Sequence, residues 1–173
     1  MMEIRLSGSG GQGLILAGII LAEAAIDDGK EAIQSQSYGP EARGGSSKAE
    51  VIISDKRIHY PKVTNPNLLL AMTQEALNKY GTDLKDDGLL IVDSTLVREV
   101  PARFTNVYKV AITQLAREKC GRELFANIVA LGAITKVSSV VSHDAIEKAV
   151  LARVPKGTEE MNKLALQTGY QAV

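Results

Sequence analysis

Residues 4–13 constrain the fold more than any other stretch of this chain. Ile4, Arg5, Leu6 and Ser7 read as a strand, and Gly8-Ser9-Gly10-Gly11-Gln12-Gly13 turns it directly into the apolar run 14–26. Glycines suit this place because a Cβ would obstruct both the sharp turn and the approach of another group to the backbone. The free N–H groups at such a helix start attract anions. Gly8, Gly10 and Gly13 match the G-x-G-x-x-G spacing of a dinucleotide site.

A nicotinamide or flavin site also expects an acidic residue about 20 positions further on, at the end of the second strand, to hold a ribose hydroxyl. Here that strand reads Glu31-Ala32-Ile33-Gln34-Ser35-Gln36-Ser37, with its acid at the beginning and Gln and Ser at the end. Three readings of the loop stay open. It is a NAD site without the usual ribose contact, a tight strand–helix turn without a ligand, or a site for an unusual ligand or one completed by another chain.

The helical run 14–26 carries a single charge, Glu23, and many small residues, Ala17, Gly18, Ala22, Ala24 and Ala25. A helix that merely covers a sheet shows a polar side to water. This one is either central in a layered fold or meets another subunit with its outer face. It is too short to span a membrane.

Strand-like and helical runs alternate along the rest. Residues 31–37 read as strand two, 49–54 and 57–60 as a hairpin turning at Asp55-Lys56, and 67–72, 89–93 and 106–112 as further strands. A helix is expected at 74–80, and the tail from about 114 is mostly helical. Asp144 with Glu147 reads as a capping pair for one helix there, and Gly157 after Pro155 as the break before the last. Met161, Leu164, Ala165 and Thr168 share a face of that last helix. The pattern predicts one α/β domain over 1–173, three-layered α/β/α, with a mostly parallel but mixed sheet and a Rossmann-like opening. Hydroxyls follow three strand ends, at Thr73, Ser94-Thr95 and Thr113. They are either ligand contacts at the carboxyl edge of the sheet or helix N-caps.

Lysine plus arginine balance aspartate plus glutamate, 20 against 20, which gives no case for nucleic acid or an anionic membrane as partner. One cysteine builds no disulfide, zinc site or iron–sulfur cluster, and Cys120 in its charged surroundings reads as an incidental thiol. The start shows no signal-peptide pattern, so the cytoplasm is the expected compartment.

A second glycine loop, Ser37-Tyr38-Gly39-Pro40-Glu41-Ala42-Arg43-Gly44-Gly45, is more distinctive. Its turn signals set Glu41 and Arg43 on a short loop that can fold over the same sheet edge as the first. Arg43 offers a planar fork to a carboxylate or phosphate. Glu41 is either a general base or the ion-pair partner of Arg43 or of another chain. The candidate cofactor-binding positions are therefore Gly8, Gly10, Gly11, Gln12 and Gly13 in the first loop and Tyr38, Glu41, Arg43 and Gly44 in the second.

These motifs together resemble the gamma subunit of the 2-oxoacid:ferredoxin oxidoreductases, the pyruvate/ketoisovalerate gamma family. The resemblance starts with GSGGQG and QSYGPEARGG. It continues through Ala49 to Ser54, Gln74-Glu75-Ala76, Val92-Asp93-Ser94 and Ala126 to Ala133, almost the whole chain. The second loop is similar to the 2-oxoglutarate branch; pyruvate, 2-oxoisovalerate and indolepyruvate oxidoreductases are the alternatives. The resemblance implies oxidative decarboxylation of a 2-oxoacid to an acyl-CoA with reduction of ferredoxin. It places thiamine diphosphate and 4Fe-4S iron–sulfur clusters on alpha, beta and cluster-bearing partner subunits, and none of them with certainty on this chain. The chain's expected role is to complete that complex, with no catalytic residue of its own. Gly10, Gly11 and Arg43 are placed to help receive coenzyme A. A free-standing nicotinamide-binding protein and a purely structural subunit are the rival classes, and self-dimerisation is left open.

Overall fold

The structure, a computed structural model, describes residues 1–38 and 45–173, with the backbone but not the side chain of Tyr38. The chain runs β1 (Met2–Ser9), α1 (Leu14–Asp27), β2 (Glu31–Tyr38), β3 (Ser46–Ser54), β4 (Leu68–Ala71), α2 (Gln74–Tyr80), β5 (Leu89–Asp93) and β6 (Asn106–Val110). Four helices follow: α3 (Ile112–Cys120), α4 (Ala126–Ser138), α5 (His143–Arg153) and α6 (Glu159–Gln171), with a 3-10 turn, Glu123–Phe125, before α4.

The sheet order is β2-β3-β1-β4-β5-β6. β1, β4, β5 and β6 are mutually parallel, and β3 runs antiparallel to both β1 and β2. The sheet is thus mixed, as expected, but its antiparallel part is built differently from the expected hairpin. Residues 57–60 form no strand. β3 has β1 on one edge and β2 on the other, so it has no free edge to offer them. Backbone that was to pair in a hairpin bonds elsewhere, and the Ile58 N–H donates to the Glu31 carboxylate at 2.8 Å.

Alternation along the strands divides the core by face. Ile4, Leu6, Val51, Leu68, Leu70 and Ile91 face the larger helical layer, whereas Leu69, Ala71, Leu90 and Val92 meet Leu77 of α2 on the other side. α1 is covered from outside as well. Glu23 pairs with Arg153 and Asp27 with Lys148, both on α5. Its lack of charge therefore reflects a place between the sheet and an outer helix, the first of the two alternatives. Gly18 lets it sit close, since a Cβ there would lie 3.1 Å from the Cβ of Ala49.

Three helical boundaries or faces differ from expectation. α3 begins at Ile112, fully buried, so β6 stops at Val110. Ser142 rather than Asp144 caps α5, its hydroxyl accepting the Ala145 N–H at 3.1 Å. Ser142 already satisfies the orphan donor, which leaves Asp144 in the first turn. α6 buries Asn162, Ala165, Leu166 and Gly169, and leaves Met161 37% and Leu164 43% exposed. The cause is backbone proximity: Gly169 of α6 and Gly132 of α4 let the two helices touch. A Cβ on Gly169 would lie 1.8 Å from the Val129 carbonyl oxygen, and one on Gly132 2.1 Å from that of Leu166. A row of small residues wins over a row of larger apolar ones because only the former lets the backbones approach.

Asp28, just past α1, braces the start of α5. Its carboxylate accepts the Ser142 N–H at 2.6 Å and the Ser142 hydroxyl at 2.7 Å. Desolvation pushes this carboxyl up, but the Ser142 hydrogen bonds and the charge of Lys30 outweigh it and hold the group below its ordinary value.

Two outcomes are expected. Gly169→Ala destabilises the fold by about 3 kcal/mol, because the added methyl meets backbone on a partner helix that cannot rotate away. In thermal unfolding followed by circular dichroism the midpoint falls by roughly 6–12 °C for a chain of this size. Asp28→Asn lowers the urea midpoint at neutral pH, and the deficit disappears as pH falls through the carboxylate range. The depressed folded-state pKa contributes stability above the unfolded pKa and loses it below the folded one, so wild type and variant converge in acid.

Candidate functional site

β1 and β4 lie side by side and parallel, but the chain leaves them for opposite faces: α1 packs in the larger layer and α2 on the other side. In an open α/β sheet such a switch point leaves a crevice outside the strands' carboxyl ends, the usual place for a ligand. The first glycine loop follows β1 at this edge, and α2 begins at Gln74 just after β4 ends at Ala71.

The predicted positions in the first loop divide into two kinds. Gly8 is buried within β1, and a Cβ there would lie 2.2 Å from the Gln12 side-chain oxygen, 2.8 Å from Leu14 and 3.0 Å from Met72. Its missing side chain serves packing. Gln12 braces the turn from within, its amide oxygen accepting the Ser9 N–H at 2.8 Å. Gly13, at φ 73° and ψ 24°, is the left-handed N-cap of α1. Gly10 and Gly11 are the open ones: both are exposed, and among the described residues a Cβ on Gly11 would meet nothing within 4 Å and one on Gly10 only the Gly45 carbonyl oxygen at 4.0 Å. Space beside bare backbone is where another molecule can come close.

The ends of the second loop are brought to the same place. Tyr38 stands opposite Ser47 in the β2–β3 ladder, and Ser9 opposite Ser46 in β1–β3. The Gly10 N–H donates to the Gly45 carbonyl at 3.0 Å, so the two glycine segments are hydrogen-bonded to each other. Glu41, Arg43 and Gly44 lie outside the described residues. α2 supports the start of β3: the Ser46 hydroxyl donates to Glu75 at 2.9 Å, and the Tyr80 hydroxyl to the Ser46 carbonyl at 3.4 Å.

Beneath this, Arg5 joins three elements. Buried at 4% exposure, it bonds Glu50 of β3 at 2.8 Å, Asp83 at 2.5 Å and the Tyr80 carbonyl at 3.3 Å. Burial alone would lower the pKa of its guanidinium, but the hydrogen bonds and charges of Asp83 and Glu50 outweigh that and raise it. The guanidinium therefore stays charged, held through its Nε and one terminal nitrogen.

The helix starts differ in how their positive ends are met. Helices α2, α5 and α6 carry acids in their first turn, at Glu75, at Asp144 and at Glu159 with Glu160. The start of α3 is met by Asp93, fully buried, which accepts the Thr113 N–H at 3.2 Å and the Thr113 hydroxyl at 2.5 Å. Among the described residues, α1 and α4 have neither an acid in their first turn nor a side-chain cap hydrogen bond.

Of the hydroxyls after the strands, those of Thr73, Thr95 and Thr113 are engaged internally, whereas Ser94 is exposed. Thr73 caps α2 through the Ala76 N–H at 3.2 Å, Thr95 accepts the Gln114 N–H at 3.2 Å, and Thr113 bonds Asp93. Cys120 is buried, and desolvation pushes its thiol up, away from thiolate reactivity. Among the described residues no three His, Cys, Asp or Glu side chains could together hold a metal ion, and no helix is long and apolar enough to cross a membrane. Sequence reasoning missed Asn127 of α4, whose side-chain amide donates to the Gly13 carbonyl at 3.2 Å. No local pattern links residues 114 positions apart.

Gly11 and Gly13 both have positive φ, 85° and 73°, but among the described residues only Gly13 has a neighbour where a Cβ would go. Gly11→Ala should cost about 1 kcal/mol from the left-handed backbone alone. Gly13→Ala adds the displacement of Asn127 and should cost about 2 kcal/mol or more. Urea midpoints of the two variants measure the difference.

Residues 3–172 match the pyruvate ferredoxin/flavodoxin oxidoreductase family. The chain is 52% identical over 172 residues to the 2-oxoglutarate synthase subunit KorC of Methanocaldococcus jannaschii, covering 98% of this chain and 92% of that one. It is 31% identical over 176 residues to the pyruvate synthase subunit PorC of Methanothermobacter thermautotrophicus, covering 100% and 96%. The crystal structure of a keto/oxoacid ferredoxin oxidoreductase gamma subunit from Geobacter sulfurreducens PCA superposes with a TM-score of 0.90 at 54% identity, over 99% of this chain and 98% of that one. The chain accordingly belongs to the pyruvate ferredoxin/flavodoxin oxidoreductase family, as its two glycine loops and layered fold indicate.

Proposed function

We propose that this chain is the gamma subunit of a heteromeric 2-oxoglutarate:ferredoxin oxidoreductase and that it contributes the phosphate-facing part of the coenzyme A site. Near-full-length identity to a subunit named for 2-oxoglutarate, well above that to one named for pyruvate, supports the branch. Decarboxylation and electron transfer belong to thiamine diphosphate and 4Fe-4S clusters on alpha, beta and cluster-bearing partner subunits, with ferredoxin as the acceptor, in a cytoplasmic complex.

Coenzyme A suits the crevice for one physical reason above all. The start of α1, which has no acid in its own first turn, with open backbone at Gly11 among the described residues, offers N–H donors and a positive dipole end to a phosphate. The bound ligand would supply the thiol that accepts the acyl group, while Gly10, Gly11, Gln12 and Gly13 hold its phosphates and Arg43 adds a planar fork. Tyr38, Glu41 and Gly44 complete the second segment in this proposal, and Gly8 backs the first. A nicotinamide occupant is disfavoured by β2, whose only acid, Glu31, stands at the far end and already accepts the Ile58 N–H.

Tagged chain recovered gently from its native host should bring larger cluster-bearing partners. The eluate should reduce a viologen dye only with both 2-oxoglutarate and coenzyme A present. A chain that elutes alone and inactive overturns the subunit reading, and activity with pyruvate instead overturns the branch. In the assembled complex Arg43→Ala should raise the KM for coenzyme A roughly tenfold with little change in that for 2-oxoglutarate. An unchanged KM removes Arg43 from the site.

A further inference from the structure

Gly13 is an unusual N-cap because its carbonyl has two donors. It accepts the Ala17 N–H at 3.1 Å, the first bond of α1, and the Asn127 side-chain amide at 3.2 Å. Asn127 is 7% exposed and sits one residue inside α4. Its amide oxygen accepts the Ile128 N–H at 3.0 Å, which fixes which end of the carboxamide faces Gly13. A Cβ on Gly13 would lie 2.6 Å from the Asn127 nitrogen and 3.1 Å from its Cγ, so the carboxamide fills the volume that the glycine leaves.

We propose that Asn127 is a positioning residue for anion binding at the first glycine loop, an inference that rests on the coenzyme A reading above. The Gly13 peptide sets the direction of the first turn of α1, whose N–H groups have no partner within the helix. Asn127 fixes that peptide from α4, which is itself held by the backbone contact with α6. The residue type matters as much as the bond. An aspartate in the same place would still accept the Ile128 N–H. It would, however, set its second oxygen against the Gly13 carbonyl and bring negative charge to the helix end that a phosphate must approach. A carboxamide gives the donor without the charge.

The assembled complex carrying Asn127→Asp or Asn127→Leu tests this. For Asn127→Asp the KM for coenzyme A should rise roughly fivefold at low ionic strength, and the increase should shrink with added salt. For Asn127→Leu, which loses the bond without gaining charge, it should rise about twofold and be insensitive to salt. The KM for 2-oxoglutarate and the kcat at saturating coenzyme A should stay near wild type in both. A parallel loss in both substrates' KM and in kcat would mark a merely structural role and overturn the proposal. So would an unchanged coenzyme A KM. If the aspartate variant does not assemble, the leucine variant decides by the same criteria. Arg43→Ala run alongside separates the two levels. A response there without one at Asn127 sinks this inference alone, and no response at either residue sinks the coenzyme A reading with it.

Discussion

β1 has a parallel neighbour on one side and an antiparallel neighbour on the other, and the geometry of the site follows from that asymmetry. Because β4 runs parallel to β1, their carboxyl ends lie together and Met72 closes against Gly8. Because β3 runs antiparallel, it begins where β1 ends, with Ser46 opposite Ser9. β2, antiparallel to β3 in turn, ends at the same edge with Tyr38 opposite Ser47. One strand's choice of neighbours thus gathers the exits of β1, β2 and β4 and the entry of β3. The Gly10–Gly45 hydrogen bond is the local expression of that arrangement.

Buried charge reinforces the same arrangement. Taking ions out of water is costly, and a buried ion pair is weak support for net stability. Removing one partner is another matter, costing about 3–5 kcal/mol because the remaining charge is left uncompensated. Arg5 is engaged by Glu50, Asp83 and a carbonyl at once, so any other register of β1 against β3, or another seat for α2, would strand a charge. Asp93 plays the equivalent part at the far side, fixing the start of α3 through Thr113 and the turn through the Thr95 N–H at 3.0 Å. It also answers the positive end of α3 with the protein's own carboxylate.

Much of this was legible in the sequence, and the failures share a cause. The strand–glycine–helix unit, strands at 31–37 and 89–93, and the helix at 74–80 are local patterns, and they appear where the periodicity puts them. The apolar character of α1 left open a central place or a subunit contact, and α5 packs against its outer side while Ile26 stays exposed. What local pattern cannot contain is who packs against whom. The turn signal Asp55-Lys56 is real, yet β1 occupies the edge of β3 that a hairpin partner would need. Met161 and Leu164 have helical spacing, yet the glycine contact with α4 decides which face of α6 turns inward. In the first loop, Gly11 and Gly13 were legible as turn positions because their left-handed backbone favours glycine. Asn127 was not, because its partner is 114 residues away.

The first loop owes its suitability for an anion to rigidity as much as to charge. A flexible glycine turn would lose conformational freedom on binding, and that loss would be set against the affinity. Here the freedom is already gone. Gln12 closes the turn on Ser9, Gly45 holds Gly10 from β3, and Asn127 holds Gly13 from α4. Glycine is needed for the conformation and the open approach, while neighbours on three sides supply the order that glycine lacks. Backbone donors fixed in this way recognise charge and shape without a specific side chain. On the proposed coenzyme A reading, such a site needs no contact with the 2-oxoacid.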